Sequence, residues 1–359
     1  MDVASRFTPE VPPQAVPSPG FDPDRLEAFL HEHVTGASGR LRLSRIAGGQ
    51  SNPTFFVDCG ERSLVLRKQP PGHLLPSAHA IDREYRVMQA LASTDVPVPR
   101  MVLYHAERDV VGTPFYLMER LDGRVFRSYS LPGVTAAERR AMYFAMAETM
   151  ARLHAVDVNT AGLSDFGRPG NYFERQIARW SRQWQENRTP HNPWLDRLVE
   201  LLPERVPATS SSSALCHGDF RMGNLMFHPT QPQVIGVLDW ELATLGAPLA
   251  DVAFNAMAWR TLPSEYGGIL GLDLAALGIP DEREYLSQYR VHSTCKDPVE
   301  PFHFAFAMFR FAVIFEGIAS RAAAGNAAAD DAAQAGTLGP AFARRALEAL
   351  MLSSGERPT

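Results

Sequence analysis

Cysteine is scarce. The 359-residue chain has three, Cys59, Cys216 and Cys295, far apart and odd in number. That excludes a disulfide framework and shows no metal-site spacing, so a reducing compartment is expected. A basic excess is also missing. The formal net charge is −5, which argues against a nucleic-acid partner. No apolar run reaches the roughly 18 residues of a membrane span, so no membrane partner is expected. The opening MDVASRFTPEVPPQAVPSPGFDPDRL lacks the basic and then apolar profile of a secretory signal. Residues 1–23 read instead as an extended or disordered lead-in, and the expected location is cytoplasmic. There is no internal repeat. What remains is 45% hydrophobic and 21% charged, the balance of an ordinary globular protein. The length suffices for two modest domains or one large one.

Periodicity divides the chain. Asp24 to Val34 repeats apolar residues at helical spacing. Strand-like runs follow at Leu41–Ile46, Thr54–Val57 and Ser63–Arg67, joined by turns with Gly48-Gly49 and Gly60-Glu61, an antiparallel meander. Ala80–Ala92 is predicted helical, with Tyr85, Met88 and Leu91 or Ala92 on one face. Val96-Pro97-Val98-Pro99 cannot continue it. Strands are predicted at Met101–His105 and Pro114–Glu119. After Asp122-Gly123 long helical patterns dominate, among them Glu138–Ala155 and Tyr172–Glu186. They are interrupted by short apolar strands at Ala214–Cys216 and Val234–Leu238. The expected fold class is therefore α+β. A small antiparallel β-rich lobe, 24–121, precedes a larger, mainly helical lobe, 122–359.

The chemistry concentrates in His217-Gly218-Asp219-Phe220-Arg221-Met222-Gly223-Asn224. Phosphoryl transfer needs the nucleotide held, its charge neutralised by metal, and the acceptor hydroxyl oriented. Asp219 suits the last task, as a hydrogen-bond acceptor for the hydroxyl. Asn224 and Asp239, both oxygen donors, suit Mg²⁺. If the strands ending near Cys216 and Leu238 were neighbours, the Asp219 loop and Asp239 would share a sheet edge. Any one of these residues alone fits a turn or cap equally well; their combination between apolar strands favours function.

The segment resembles the catalytic loop H-G-D-x-x-x-x-N of the aminoglycoside phosphotransferase and choline kinase-like family, which has a protein-kinase-like two-lobe fold. The resemblance runs from about Leu43 to Trp259, and Leu238-Asp239-Trp240-Glu241 matches the family's metal-binding segment. It implies ATP and Mg²⁺ as cofactors. It puts Gly48, Gly49, Ser51 and Asn52 in the nucleotide-covering loop, with Ser51 and Asn52 as donors to phosphate. It makes Glu84 the helix acid that pairs with a strand cation; without it, a solvated helix face is the simpler reading. It assigns the backbone of Glu119 and Leu121 to the adenine edge. The family's strand lysine falls on Arg67 here. Strand alternation favours Arg67, which shares a face with Val65, and Lys68 stays open as the alternative. His154 and His217 read as structural. Asp251 is expected to hydrogen-bond the catalytic-loop backbone and cap a helix.

For the acceptor, residues 168–197 carry Arg175, Arg179 and Arg182 interleaved with Trp180, Trp184 and Trp194. This suits an anionic or CoA-linked small molecule, or is simply a helix with a solvated and a packed face. Arg67-Lys68-Gln69-Pro70-Pro71-Gly72 and Asp165-Phe166-Gly167-Arg168-Pro169-Gly170-Asn171-Tyr172 resemble the family branch that includes kinase domains fused to acyl-CoA dehydrogenases. That branch implies a 4-hydroxyacyl-CoA as acceptor. An aminoglycoside is the alternative within the enzyme class, and a nucleotide-binding regulator with little catalysis is the alternative outside it.

Overall fold

The computed structural model describes residues 19–46, 52–72, 79–168, 170–186, 192–208, 213–323 and 332–352. The expected lead-in falls almost wholly outside these, as do Gly48, Gly49 and Ser51. The chain divides into two compact units. Unit 1 comprises the chain up to Val125 together with Asn224–Ala243, and unit 2 comprises Phe126–Gly223 and Thr244–Thr359. This departs from a single cut near residue 121. The reason is a strand pairing: β6 (Arg124–Val125) is antiparallel to β8 (Leu225–Phe227), which is antiparallel to β9 (Val234–Val237). The chain thus returns to unit 1 after the catalytic loop.

In unit 1, α1 (Pro23–His33) starts with Pro at its first position. Asp22 caps it, accepting from Asp24 N at 3.0 Å. The main sheet contains β1 (Leu41–Arg45), β2 (Thr54–Cys59), β3 (Arg62–Lys68), β4 (Met101–His105) and β5 (Phe115–Glu119), in the order β1-β2-β3-β5-β4, all antiparallel. Alternation along β2 sends Phe55, Val57 and Cys59 inward. There they join Leu26 and Leu30 of α1, Leu64 and Leu66 of β3, and Phe115 and Leu117 of β5. The β2–β3 turn needs glycine. Gly60 has φ +64°, and a Cβ there would meet Ser38 Oγ at 2.5 Å. α2 (Ile81–Leu91) follows β3 and buries Ile81, Glu84, Val87, Met88 and Leu91. Met88 and Leu91 of the predicted face are buried and Tyr85 is half-buried, while the buried stripe also takes in Val87 and the acid.

Unit 2 has α3 (Ala136–His154), α4 (Tyr172–Glu186), α5 (Pro193–Leu201), β7 (Ala214–Cys216), β10 (Thr244–Gly246), α6 (Pro248–Ala256), α7 (Leu274–Leu277), α8 (Glu282–His292), α9 (Pro301–Ala323) and α10 (Ala332–Leu352). β7 pairs antiparallel with β10. The expected pairing of the strand before Asp219 with the strand before Asp239 does not occur, because each takes a short partner that periodicity does not register. Contrary to the expectation of no such run, residues Pro301–Arg321 of α9 are long and apolar enough to cross a membrane. In the structure 83% of that window is buried in the protein, as in the core helix of a globular unit.

Candidate active site

The catalytic loop is held by its backbone. Asp251, in the first turn of α6 and 2% exposed, accepts from His217 N at 2.6 Å and Gly218 N at 2.9 Å. It does not cap the helix, whose N-cap is Ala247. His154 Nε2 lies 3.4 Å from the same carboxylate, while His154 Nδ1 meets Tyr289 OH at 2.8 Å. Burial pushes the Asp251 carboxyl up, but the hydrogen bond and charge of His154, with help from His217 and Gly218 N–H, hold it below the usual range. Gly218 takes φ +82°, and its carbonyl accepts from Arg310 of α9. Asp219 N donates to His217 Nδ1 at 3.2 Å, and Asn255 Nδ2 donates to Phe220 O at 3.0 Å. Donors and acceptors on both sides of Asp219 are thus fixed by buried groups.

The Asp219 carboxylate is left partly accessible, 20% exposed, with Arg221 Nε 3.2 Å from its Oδ2. Burial works against the Arg221 charge, but Tyr266, Asp219 and Tyr129 raise its pKa above that of an ordinary guanidinium. Arg221 therefore stays cationic beside the aspartate.

Unit 1 carries a second cluster, centred on Arg67. Its Nε lies 2.9 Å from Glu84 Oε2, and its other nitrogens reach Asp239 Oδ1 at 2.9 Å and Glu241 Oε2 at 3.8 Å. Glu84 is 1% exposed and also accepts from Tyr116 OH at 3.0 Å and Asn52 Nδ2 at 2.9 Å. This corrects the reading of Asn52. Its side chain is fully buried and committed to Glu84 and to His79 Nδ1 at 3.1 Å, so it orders the acid and does not donate to phosphate. Lys68 points to the opposite side of β3. It is 5% exposed, donates to Val111 O at 2.6 Å, and is pushed down in pKa by burial. Arg67 is therefore the strand cation that faces Glu84, as alternation along β3 requires.

Glu119 donates its backbone N–H to Arg100 O at 2.9 Å, which leaves only its carbonyl as the backbone group for an adenine edge. Leu121 lies against Gly236, where a Cβ would come within 2.6 Å of Leu121 Cδ1. Asn224 and Asp239 sit at the same end of the β8–β9 hairpin, with Leu238 N donating to Asn224 O at 2.8 Å. A carboxylate and an amide placed this way fit a hard cation. Asp239 takes a left-handed conformation, φ 66° and ψ 64°, uncommon for a residue other than glycine and characteristic of functional positions.

Burial raises the Glu84 carboxyl most; Arg67 pulls it down, Asp239 and Glu241 push it up, and the result is about 7. A carboxyl raised from 4.5 to about 7 keeps its proton longer in the folded state. Its contribution is complete below about pH 4.5 and is lost as pH rises through 7. Over that window wild-type stability is expected to fall relative to Glu84→Gln. Denaturant titrations of both proteins between pH 5 and pH 8 check this; parallel slopes would contradict it.

Sequence reasoning assigned no role to Arg310, Asn255 or Tyr116. A signal existed for Arg310, a lone cation in the apolar run Phe304–Phe315. Of the arginines and tryptophans expected near the acceptor, several have structural partners. Arg175 donates to Gly170 O and Arg168 O, Arg197 pairs with Glu200, and buried Trp184 donates to Asp196. Arg179 and Arg182 are exposed on α4.

Residues 42–287 match the model of the phosphotransferase enzyme family. Acyl-CoA dehydrogenase family member 11 of Rattus norvegicus is 41% identical over 345 residues, 92% of this chain and 43% of that protein. The chain thus spans less than half the length of the curated relatives it matches. The crystal structure of a Ralstonia eutropha JMP134 protein, provisionally called an aminoglycoside phosphotransferase, superposes with a TM-score of 0.85. It is 42% identical, with 92% of this chain and 99% of that one covered. Choline kinase from Cryptosporidium parvum matches at a TM-score of 0.61 and 13% identity, over 93% and 97% of the two chains, a likeness of fold. The α+β, protein-kinase-like fold class implied by the catalytic-loop resemblance is the one found.

Proposed function

The chain belongs to the phosphotransferase enzyme family, and from that premise we propose that it transfers the γ-phosphoryl group of ATP to an alcohol of a small molecule, most specifically a 4-hydroxyacyl-CoA. The observation that carries the transfer is the Asp219 loop: a partly accessible carboxylate on a backbone fixed by Asp251, Arg310 and Asn255. Asp219 accepts the acceptor hydroxyl's proton as the new O–P bond forms and the bond from the γ-phosphorus to the bridging oxygen breaks, releasing ADP. Arg67, oriented by Glu84, binds phosphate oxygens. The carbonyl of Glu119 and the backbone of Leu121 meet the adenine edge. Asn224 and Asp239 would hold Mg²⁺, which neutralises phosphate charge when bound.

The acceptor class is supported by likeness to proteins named acyl-CoA dehydrogenase family members 10 and 11, at 41% identity. Exposed Arg179 and Arg182 suit the phosphates of CoA. Wild-type protein with ATP, Mg²⁺ and a panel of 4-hydroxyacyl-CoAs and aminoglycosides is expected to phosphorylate the thioesters and spare the sugars. Transfer to kanamycin-like sugars alone would overturn the acceptor class.

A further inference from the structure

Segment 261–272 of unit 2 lies outside the catalytic-loop motif and is built with unusual constraint. Glu265 accepts from Leu262 N at 2.9 Å and from Arg345 Nε at 2.7 Å. Gly268 N donates to Leu262 O, Ile269 N to Ala258 O and Leu270 N to Thr261 O, all between 2.8 and 3.1 Å. Gly268 is pressed so closely on this frame that a Cβ would come within 2.0 Å of Thr261 O. Inside the frame Tyr266 takes φ 60°, a left-handed conformation that is sterically costly for an aromatic residue. The surrounding bonds impose it.

The imposed conformation has a visible result. The Tyr266 ring packs edge-on against Phe311 at 5.0 Å and Phe315 at 5.6 Å, yet the residue stays 43% exposed. The Arg221 guanidinium, whose Nε is 3.2 Å from Asp219, sits 5.9 Å from the ring centroid. One side chain therefore separates the ring from the proposed catalytic carboxylate. Five large apolar side chains are exposed among the described residues, and three of them, Leu262, Tyr266 and Leu270, fall in this loop. Exposed apolar side chains are thus concentrated in the loop that carries Tyr266, the one of the three linked to Asp219 through Arg221.

Resting on the function proposed above, we infer that Tyr266, with Leu262 and Leu270, forms the platform for the apolar arm of the acceptor, the aliphatic segment next to the reacting hydroxyl. An aromatic face and two leucines recognise methylenes and make no demand for charge. Each methylene buried on such a surface is worth about fourfold in affinity. The platform therefore selects acceptors by chain length, while Asp219 selects the hydroxyl.

The test is calorimetric binding of 4-hydroxyacyl-CoAs of increasing length to the full chain with ADP and Mg²⁺. Turnover of the same thioesters is measured alongside. Wild type is expected to gain about fourfold per methylene over the first few carbons. Tyr266→Phe keeps that slope and Tyr266→Ala flattens it, with the KM for ATP unchanged within about twofold in both. Leu262→Ser, at a position 38% exposed, is expected to reduce the slope too, with a denaturation curve showing that the fold is kept. Equal slopes in wild type, Tyr266→Ala and Leu262→Ser would overturn the platform even if the thioesters are phosphorylated. Wild type that binds and phosphorylates only a polar sugar would overturn the acceptor class and the apolar platform together.

Discussion

Asp219→Ala is expected to lose on the order of 10²–10⁴-fold in the rate of phosphoryl transfer, the scale of a positioned acid–base group. The reason it should lose rate and little else is the way the loop is built. His217 and Gly218 give their N–H groups to Asp251, Gly218 O is taken by Arg310, and Phe220 O by Asn255. None of these bonds uses the Asp219 side chain, so its removal leaves the backbone in place. Arg221 loses a partner at 3.2 Å but keeps its contact with Tyr266. ATP affinity is expected to stay near wild type, because Arg67 and Glu84 belong to unit 1. Single-turnover transfer, ATP titration and thermal denaturation of Asp219→Ala and Asp219→Asn check all three statements. A variant that transfers phosphate at a near-normal rate would refute the assignment.

Asp239→Asn is the second large effect. The carboxylate sits on a left-handed residue whose strain is held by the turn after β9. Asparagine tolerates that conformation, so the backbone should not object. The ion pair with Arg67 is lost, but Arg67 retains Glu84 at 2.9 Å. Asp239 is also 34% exposed, so the pair contributes less than about 1 kcal/mol. Stability should therefore change little. Activity should not survive as well. Metal neutralisation of transferring phosphate is worth several kcal/mol, about 10³-fold in rate. Raised Mg²⁺ is expected to restore part of it. Rates across a magnesium titration, set beside a denaturation curve, provide the check. A rate within tenfold of wild type at ordinary Mg²⁺ would remove Asp239 from the metal site.

Legibility in the sequence followed the length of the signal. β4 and α4 begin and end where periodicity predicts, and α1, α2 and α3 do so within two residues. These elements have strong apolar patterns or firm terminators, such as Thr135, whose hydroxyl caps α3. β6, β8 and β10 have two or three residues each, too few for a period of two to show. Missing them meant missing the pairing of β6 with β8, and so the return of 224–243 to unit 1. The loop motif singled out Asp219 and Asn224, and the segment after the following strand singled out Asp239. Arg67 followed from alternation, since β3 sends Arg67 and Lys68 to opposite sides. Asn52 was misread because its spacing marks a loop, whereas its environment is a buried carboxylate that only the fold brings to it. Arg310 stood out as a lone cation in an apolar run, but its partner was hidden for the same reason: Gly218 is 92 residues away in the chain.

The most direct test is the phosphorus-31 spectrum of wild-type protein with ATP, Mg²⁺ and a 4-hydroxyacyl-CoA. A new phosphomonoester signal is expected to grow in step with ADP and to be absent with Asp219→Asn. ATP that stays intact, or ADP that appears only with inorganic phosphate, would contradict an alcohol phosphotransferase built around Asp219.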